Sequence, residues 1–324
     1  MNTLQWIDAR SVEEAVAALS ASDAHGVTVA KAGGLDLLDL MKEGIVTPAR
    51  IVNLQRIDAL RGVQFSDAAG LRLGALTTLA EIASDASIRR HYPALVAAAA
   101  HAATPQIRNA ATIGGNLLQR PRCWYFRNEL YHVAREETGR EQSQYGAIFD
   151  NSETSMVHAS TPATALLAYG ANVHVVGKQG RTRTIALGDF LLPPDFDRDR
   201  DTTLAADEVL THISVPAVAP DTQAEYHKQT ERDSYDWPIC DVAVVLTTNG
   251  RRVEGVKIVA GAVAPVPRRM AASENLLLGR ELDEESAAEA ARLAVRGATP
   301  THRNSYKVAV LEAVIRRTIL ATMR

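Results

Sequence analysis

The stretch NAATIGGNLLQRPRC, from Asn109 to Cys123, places two adjacent glycines inside an apolar and basic run. A second stretch of the same form, AKAGGLDLL, runs from Ala30 to Leu38. Adjacent glycines expose backbone N–H groups without a Cβ and tolerate positive φ. Each pair taken singly also fits an ordinary tight turn. Two such loops in one chain favour a pair of turns that wrap closely around the oxygens of a pyrophosphate.

Known phosphate-binding fingerprints are missing from both loops. Neither contains G-x-G-x-x-G or G-x-x-x-x-G-K followed by Ser or Thr, so the sequence supports neither a Rossmann domain nor a P-loop. Polar side chains that could add hydrogen bonds to a bound ligand are Asp36 in the first loop and Thr112 and Asn116 in the second. The loops therefore predict a phosphate-bearing ligand held in a different fold.

Composition restricts the class of protein. The 324 residues carry 35 Lys and Arg against 38 Asp and Glu, and 46 % are hydrophobic, which predicts a globular chain of about two domains and no nucleic-acid partner. The two cysteines are too few for a disulfide framework, which favours a reducing compartment. Asp8, Glu13 and Glu14 interrupt any signal-like apolar run, and no apolar stretch of about 18 residues occurs. We expect a cytoplasmic chain that binds no membrane.

Periodicity predicts two unequal parts. Residues 11–19 are predicted to form a helix capped by Ser11. The strands GVTVAK and ARIVNL follow it with the short helix LDLLDLMKEG between them, which gives a βαβ-like unit over about 50 residues. An alanine-rich helix precedes the second glycine loop, a polar excursion spans residues 120–154, and a helix and a strand hairpin follow it. Prolines between residues 216 and 222 mark a domain boundary, beyond which Asn249 and Gly250 predict a hairpin before two helices, 286–296 and 306–323.

The two loops resemble those that hold FAD in the FAD-binding subunits of molybdenum hydroxylases, the family of xanthine dehydrogenase, carbon monoxide dehydrogenase and bacterial aldehyde oxidoreductases. The segments GLRLGALTTLAEI, GDFLLPP, LTHISVP, YHKQTERDSYDWPICDVAVV and VAGAVAPVPRR are also similar to that family, so the resemblance covers nearly the whole chain. It implies an α+β chain. A vanillyl-alcohol-oxidase-like (PCMH-type) FAD-binding domain, 1–216, with α/β subdomains of about 1–56 and 57–216, would precede a smaller α+β domain of the carbon monoxide dehydrogenase flavoprotein type, 217–324.

The resemblance also implies which residues bind FAD. The first loop would surround the pyrophosphate, the second loop and its lead-in would contact the flavin half, and a lysine would lie near the flavin pyrimidine edge. A cation there would stabilise negative charge on a reduced ring, although a solvated surface lysine is the alternative. These residues are Lys31, Ala32, Gly33, Gly34, Leu35, Asp36, Leu37, Thr104, Arg108, Thr112, Gly114, Gly115, Asn116, Thr161 and Lys228.

Two departures from the family pattern stand out. Ser160 and Thr161 occupy the Ser-Asp places of a family H-P-S-D motif, so a hydroxyl replaces the carboxylate expected to hydrogen-bond FAD. The segment NLLQRPRCWYF resembles a branch whose relatives carry four cysteines for a 4Fe–4S cluster, but here only Cys123 remains. We expect no cluster. A metal site joining Cys123 to His132 and His158 is the less favoured alternative to a thiol in an interface loop.

The resemblance implies an electron-transfer role. FAD in this chain would take electrons from 2Fe–2S centres of a small subunit, the molybdopterin would belong to a large subunit, and no catalytic side chain is expected here. A partner with an export signal would be needed to reach the periplasm. A self-contained FAD-dependent oxidoreductase and a structural adaptor with a decayed flavin site are the alternatives. The aromatic run Trp124, Tyr125 and Phe126 fits either core packing or an interface.

Overall fold

Three β-sheets with covering helices make up the chain. A computed structural model describes residues 4–21, 26–123, 126–127, 144–151, 155–193 and 200–323. Most of the polar excursion predicted at residues 120–154 lies outside these ranges, including Trp124, Tyr125 and His132. Across the described ranges, no helix combines the length and the apolar character needed to cross a bilayer.

The first sheet is a small parallel unit. Its strands are β1 (Gln5–Asp8), β2 (Thr28–Lys31) and β3 (Arg50–Asn53), in the order β1-β3-β2. Helices α1 (Val12–Ser20) and α2 (Leu35–Lys42) make the connections, and the Ser11 side chain caps α1 by accepting from the Glu14 N–H. The βαβ prediction is confirmed. Strand β1 was not predicted, because its first two residues are exposed and leave no alternating pattern.

The second sheet is antiparallel and carries most of the helices. Its strands are β4 (Val63–Ser66), β5 (Gly70–Gly74), β6 (Asn172–Val176), β7 (Thr182–Ala186) and β8 (Val209–Val215), in the order β4-β5-β8-β6-β7. The helices are α3 (Leu79–Ser84), α4 (Ala86–His91), α5 (Pro93–Ala100), α6 (Pro105–Ala110), α7 (Ile113–Leu117), α8 (Thr161–Ala168) and α9 (Leu187–Phe190). Alanine side chains let α5 pack closely against both α8 and the third sheet.

The third sheet forms the C-terminal part. Strands β9 (Thr222–Gln229), β10 (Cys240–Asn249), β11 (Arg252–Gly261) and β12 (Arg268–Arg269) are antiparallel in the order β12-β11-β10-β9. The predicted hairpin is confirmed, with Gly250 at φ +61° between β10 and β11. Helices α10 (Ala271–Leu277), α11 (Glu284–Ala294) and α12 (Tyr306–Ala321) cover one face, and the last two end within two residues of the predicted ends.

The second and third sheets share one buried apolar cluster. Leu71 and Leu73 of β5 belong to it together with Tyr226, Ala243 and Val259 of the third sheet. A hydrogen bond from the Tyr92 hydroxyl to the Pro216 carbonyl, 2.9 Å long, ties α5 to the segment after β8. The C-terminal part is therefore packed firmly against the part that carries the glycine loops.

Lys307, on α12, is completely buried. Its ammonium group donates to three carbonyl oxygens, those of Tyr145 at 3.0 Å, Gly146 at 2.8 Å and Ala262 at 2.6 Å. Burial lowers the pKa of this lysine to about 8, which the nearby Cys240 and Asp241 partly oppose. A buried charge persists only when hydrogen bonds replace its water, and here backbone carbonyls do so. Through these bonds Lys307 connects residues 145–146 to α12 and to Ala262, which directly follows β11.

We predict that Lys307→Met destabilises the protein by roughly 3 kcal/mol or more, because three carbonyl oxygens lose a charged donor. The matched control is Lys257→Met, since Lys257 is exposed on β11. Urea unfolding midpoints measure both changes. Equal midpoints for the two variants would show that the three hydrogen bonds contribute nothing.

Candidate functional site

The two glycine loops lie against each other at one wall of a cavity of about 590 Å³. Gly33 sits directly against the Ala110 carbonyl oxygen, so a Cβ at Gly33 would clash with the backbone of the second loop. Residues from the segments after β2, α5, α6 and β9 line the cavity, which places it where all three sheets meet. The absence of a side chain at Gly33 lets the loops approach each other.

The first loop opens a helix toward the cavity. Gly34 has φ +82° and is the N-cap of α2, and no side chain accepts a hydrogen bond from the first turn. Leu35, Asp36 and Leu37 occupy that first turn and line the cavity. A helix N-terminus without a capping side chain presents N–H donors and a partial positive charge, which suits an anionic group such as a pyrophosphate.

The second loop is a short helix anchored to the end of β5. The Ile113 N–H donates to the Thr77 carbonyl and the Gly114 N–H to the Ala75 carbonyl, and Thr112 caps α7 by accepting from the Gly115 N–H at 3.2 Å. A Cβ at Gly114 would stand 2.9 Å from the Ala75 oxygen. Of the four loop glycines only Gly34 adopts positive φ. Positive φ therefore explains the glycine at position 34. At positions 33 and 114 a glycine is needed because neighbouring backbone leaves no room for a side chain.

Asn116 is held in one orientation. The Ser160 hydroxyl donates to Asn116 Oδ1 over 2.5 Å and also caps α8 by accepting from the Ala163 N–H. Because Oδ1 is engaged, the amide Nδ2 is the group that Asn116 can offer to a ligand, and this side chain lines the cavity. The Ser160 position that the sequence comparison singled out therefore orients a residue of the second loop.

The Thr161 hydroxyl serves the protein core. It donates to the Ala98 carbonyl at 3.1 Å, and the residue is only 4 % exposed although it lines the cavity. An ionised aspartate in its place could not make that bond, because a carboxylate only accepts. A hydroxyl at position 161, unlike a carboxylate, can therefore satisfy the Ala98 carbonyl of α5.

Lys228 closes the opposite side of the cavity. It lies near the end of β9, and its ammonium group donates to the His101 carbonyl at 2.8 Å. The sequence left a solvated surface lysine open as an alternative, but this side chain lines the cavity and is half-buried. The hydrogen bond also connects the third sheet to the end of α5.

Arg108 stands outside the cavity. Its Nη1 donates to the carbonyls of Ala102 at 3.2 Å and Ala103 at 2.7 Å, and Ala103 holds φ +46°. These two residues and Thr104 line the cavity, so Arg108 shapes the α5–α6 turn from behind. All the other residues predicted for the site line the cavity: Lys31, Ala32, Gly33, Gly34, Leu35, Asp36, Leu37, Thr104, Thr112, Gly114, Gly115, Asn116, Thr161 and Lys228.

Asp36 is engaged by the start of the insertion. Its carboxylate accepts from Arg127 at 2.6 Å and from the Arg120 N–H at 2.9 Å, and it pairs with Arg122. Asp39, one turn further along α2, pairs with the same Arg122 and Arg127. These contacts fasten Arg120, Arg122 and Arg127 to α2, so the Asp36 carboxylate is engaged within the protein.

The sequence did not reveal several cavity residues. Arg120, Arg122 and Glu208 are charged members, and the exposed rings of Tyr235 and Trp237 stand at the rim, with the Arg122 guanidinium 5.2 Å from the Trp237 ring centroid. An apolar wall looks like ordinary core in the sequence, since leucines that line a cavity have the same spacing as those that fill one. That wall consists of Leu54, Leu60, Leu76, Leu79, Val209 and Leu210.

No metal site replaces the missing cluster in the described part of the chain. No group of three or more His, Cys, Asp or Glu residues there could hold an ion. His158 is buried, its Nδ1 accepts from the Ser160 N–H, and burial lowers its pKa to about 4. His132, the other histidine considered, lies outside the described residues.

The fold and the cavity are those of a protein that could hold a large phosphate-bearing cofactor. The sequence model of the FAD-binding domain in molybdopterin dehydrogenase matches residues 2–218, and that of the carbon monoxide dehydrogenase flavoprotein C-terminal domain matches residues 224–322. The chain belongs to this family of FAD-binding subunits of molybdopterin dehydrogenases. It is an FAD-binding oxidoreductase subunit of the α+β fold that the sequence predicted.

Relatives match along nearly their whole length. The FAD-binding subunit of an aldehyde oxidoreductase from Escherichia coli K12 is 31 % identical over 317 residues, covering 96 % of this chain and 95 % of that one. The carbon monoxide dehydrogenase medium chain of Hydrogenophaga pseudoflava is 29 % identical, covering 96 % and 94 %. A solved structure of carbon monoxide dehydrogenase from that organism superposes with a TM-score of 0.79 at 26 % identity, covering 99 % of this chain and 97 % of its own.

The residues present fit FAD. The uncapped start of α2 supplies donors for a pyrophosphate, Asn116 offers Nδ2, and Lys228 offers a cation at the far side. The apolar wall suits flat ring systems. When bound, FAD supplies the redox chemistry, and the chain supplies binding and orientation.

We predict that Gly33→Ala weakens FAD binding about tenfold or more, because the new methyl group forces the first loop away from Ala110. Titration of the apoprotein with FAD, followed by flavin fluorescence, measures the change. Gly255→Ala is the matched control, since a Cβ there meets only ordinary contacts with Thr247. Wild-type affinity in Gly33→Ala would show that the two loops do not clamp the cofactor together.

Proposed function

We propose that this chain is the electron-transfer subunit of a multi-subunit molybdenum hydroxylase. In this role the chain's two loops and Lys228 would hold FAD in the cavity, and FAD would supply the redox chemistry that links 2Fe–2S centres on a small subunit to an external acceptor, while a large subunit would carry the molybdopterin. The relatives are named FAD-binding subunit and medium chain, and they match this chain end to end, which supports such a division of labour. Two cysteines are too few for the four thiolates of a ferredoxin-type 2Fe–2S centre, so we place that centre on a partner.

The cavity carries this proposal. Its glycine clamp and its uncapped helix end suit a dinucleotide. We propose Lys31–Leu37 as the pyrophosphate site. For the flavin half we propose Thr104, Thr112, Gly114, Gly115, Asn116, Thr161 and Lys228, with Arg108 supporting from behind. This intact arrangement argues against a decayed adaptor.

We propose the domain division that the resemblance implied, 1–216 and 217–324, with subdomains of about 1–56 and 57–216 in the first domain. Strand β8 ends at Val215 and β9 begins at Thr222, which supports a link between them. We place the chain in the cytoplasm, with export only in complex with a partner that carries a signal. The two cysteines are not joined in a disulfide, in keeping with that location.

We predict that the chain purified alone binds one FAD and that a dithionite-reduced small subunit bleaches the flavin band in stopped-flow mixing. The native complex stripped of FAD should keep reducible iron–sulfur centres but lose transfer to the acceptor, and added FAD should restore it. A chain that takes up no FAD would contradict the proposal. Turnover of small aldehydes or alcohols by the isolated FAD-loaded chain would instead identify a self-contained enzyme.

A further inference from the structure

A buried carboxylate lies beside Lys228 in the third sheet. Asp241 of β10 is the cross-strand partner of Lys228 in β9, so the two side chains project from the same face of the sheet. Asp241 is 1 % exposed, whereas Lys228 extends from that face into the cavity wall. The acid therefore stands behind the lysine, away from solvent.

The fold makes room for this carboxylate. Gly261 of β11 is the neighbour of Asp241 on the other side, and a Cβ there would clash with both carboxylate oxygens and with the Thr164 hydroxyl. The Tyr226 hydroxyl, two residues before Lys228 on β9, donates to Asp241 Oδ2 at 3.2 Å. Three strands and α8 thus enclose one acidic group. A buried carboxylate is destabilising unless hydrogen bonds and an opposite charge replace its water.

The charges that surround Lys228 come from three elements. Asp241 on β10 and Asp236 in the loop after β9 are negative, and Arg108 on α6 is positive. Burial lowers the pKa of the Lys228 amine, and Arg108 lowers it further. Asp241 opposes this more strongly than Asp236 does, and the half-buried Asp236 is already paired with Arg232.

The groups that surround Asp241 leave it ionised at neutral pH. Burial raises its pKa to about 6, while the neighbouring Thr164 hydroxyl, the hydrogen bond from Tyr226 and the charges of Lys228 and Lys307 lower it. Burial also raises the pKa of the adjacent Cys240 thiol to about 12, so that group is neutral. Lys307 already donates to three carbonyls. Of the two lysines, Lys228 has the larger electrostatic effect on Asp241, and it is the one that lines the cavity.

We propose that Asp241 is a positioning residue for the flavin site: it is the buried counter-charge that holds Lys228 protonated and directed at the cavity. This inference rests on the proposed function for its meaning, since Lys228 is placed at the flavin end. Without Asp241, Lys228 and Arg108 would face each other with no buried negative charge between them. An opposite charge within a few ångströms typically moves a pKa by about 1 to 3 units.

We predict that Asp241→Asn lowers the pKa of Lys228 by about 1 to 3 units. The measurement uses the apoprotein: trace acetic anhydride labels amines across a pH series, and mass spectrometry of the Lys228 peptide gives its titration. In the FAD-loaded chain, a plot of the flavin reduction potential against pH should change slope at the Lys228 pKa. This break should move to lower pH in Asp241→Asn by the same number of pH units. Lys228→Met should abolish that change of slope.

The matched control is Asp236→Asn, which removes a second carboxylate near Lys228. We expect a smaller change in the Lys228 pKa, because Asp236 is more accessible to solvent than Asp241 and is already paired with Arg232. An unchanged Lys228 pKa in a folded Asp241→Asn variant would overturn the proposal. Equal shifts in the two variants would do so as well, since they would show that burial of Asp241 is irrelevant.

Asp241→Ser provides a second variant if Asp241→Asn does not fold, because a smaller side chain fits the space beside Gly261. It also removes the negative charge, so the Lys228 pKa should fall as it does in Asp241→Asn. No change would overturn the proposal. The two proposals fail in different ways. A chain that binds no FAD but shows the Lys228 pKa shift would contradict the proposed function and support the role of Asp241. A chain that binds FAD normally but shows no shift would support the proposed function and contradict the role of Asp241.

Discussion

The close approach of Gly33 to the Ala110 carbonyl is the constraint on which the site depends. It brings two loops that are about 80 residues apart in the sequence into contact, and a single methyl group at Gly33 is enough to prevent it. Once they touch, the first turn of α2 and the N-terminus of α7 border the same cavity. The parallel and antiparallel sheets that carry the loops are then held in one relative position.

The C-terminal part completes the cavity rather than merely following it. Lys228 reaches across to the His101 carbonyl, Tyr92 reaches the Pro216 carbonyl, and the shared apolar cluster fills the space between. Behind Lys228, Asp241 and Tyr226 form a polar layer inside an otherwise apolar sheet. A cofactor bound against Lys228 would therefore sense charges that belong to the core of the third sheet.

Much of the fold follows from local sequence signals. Ser11 capped the first helix, Asn249 and Gly250 formed the hairpin, and the glycine loops lay where the pattern placed them. Strand β1 was missed because its exposed residues do not alternate. The apolar cavity wall, the rim aromatics Tyr235 and Trp237, and the buried Asp241 were missed for another reason. Each depends on which distant elements meet, and no periodicity records that.

A structure of the chain with FAD bound tests the central claim most directly. We expect the pyrophosphate within hydrogen-bond distance of the backbone N–H groups of Leu35–Leu37, the flavin ring beside Asn116 and Lys228, and Gly33 still in contact with Ala110. FAD bound away from the two loops, or loops that separate to admit it, would contradict the account.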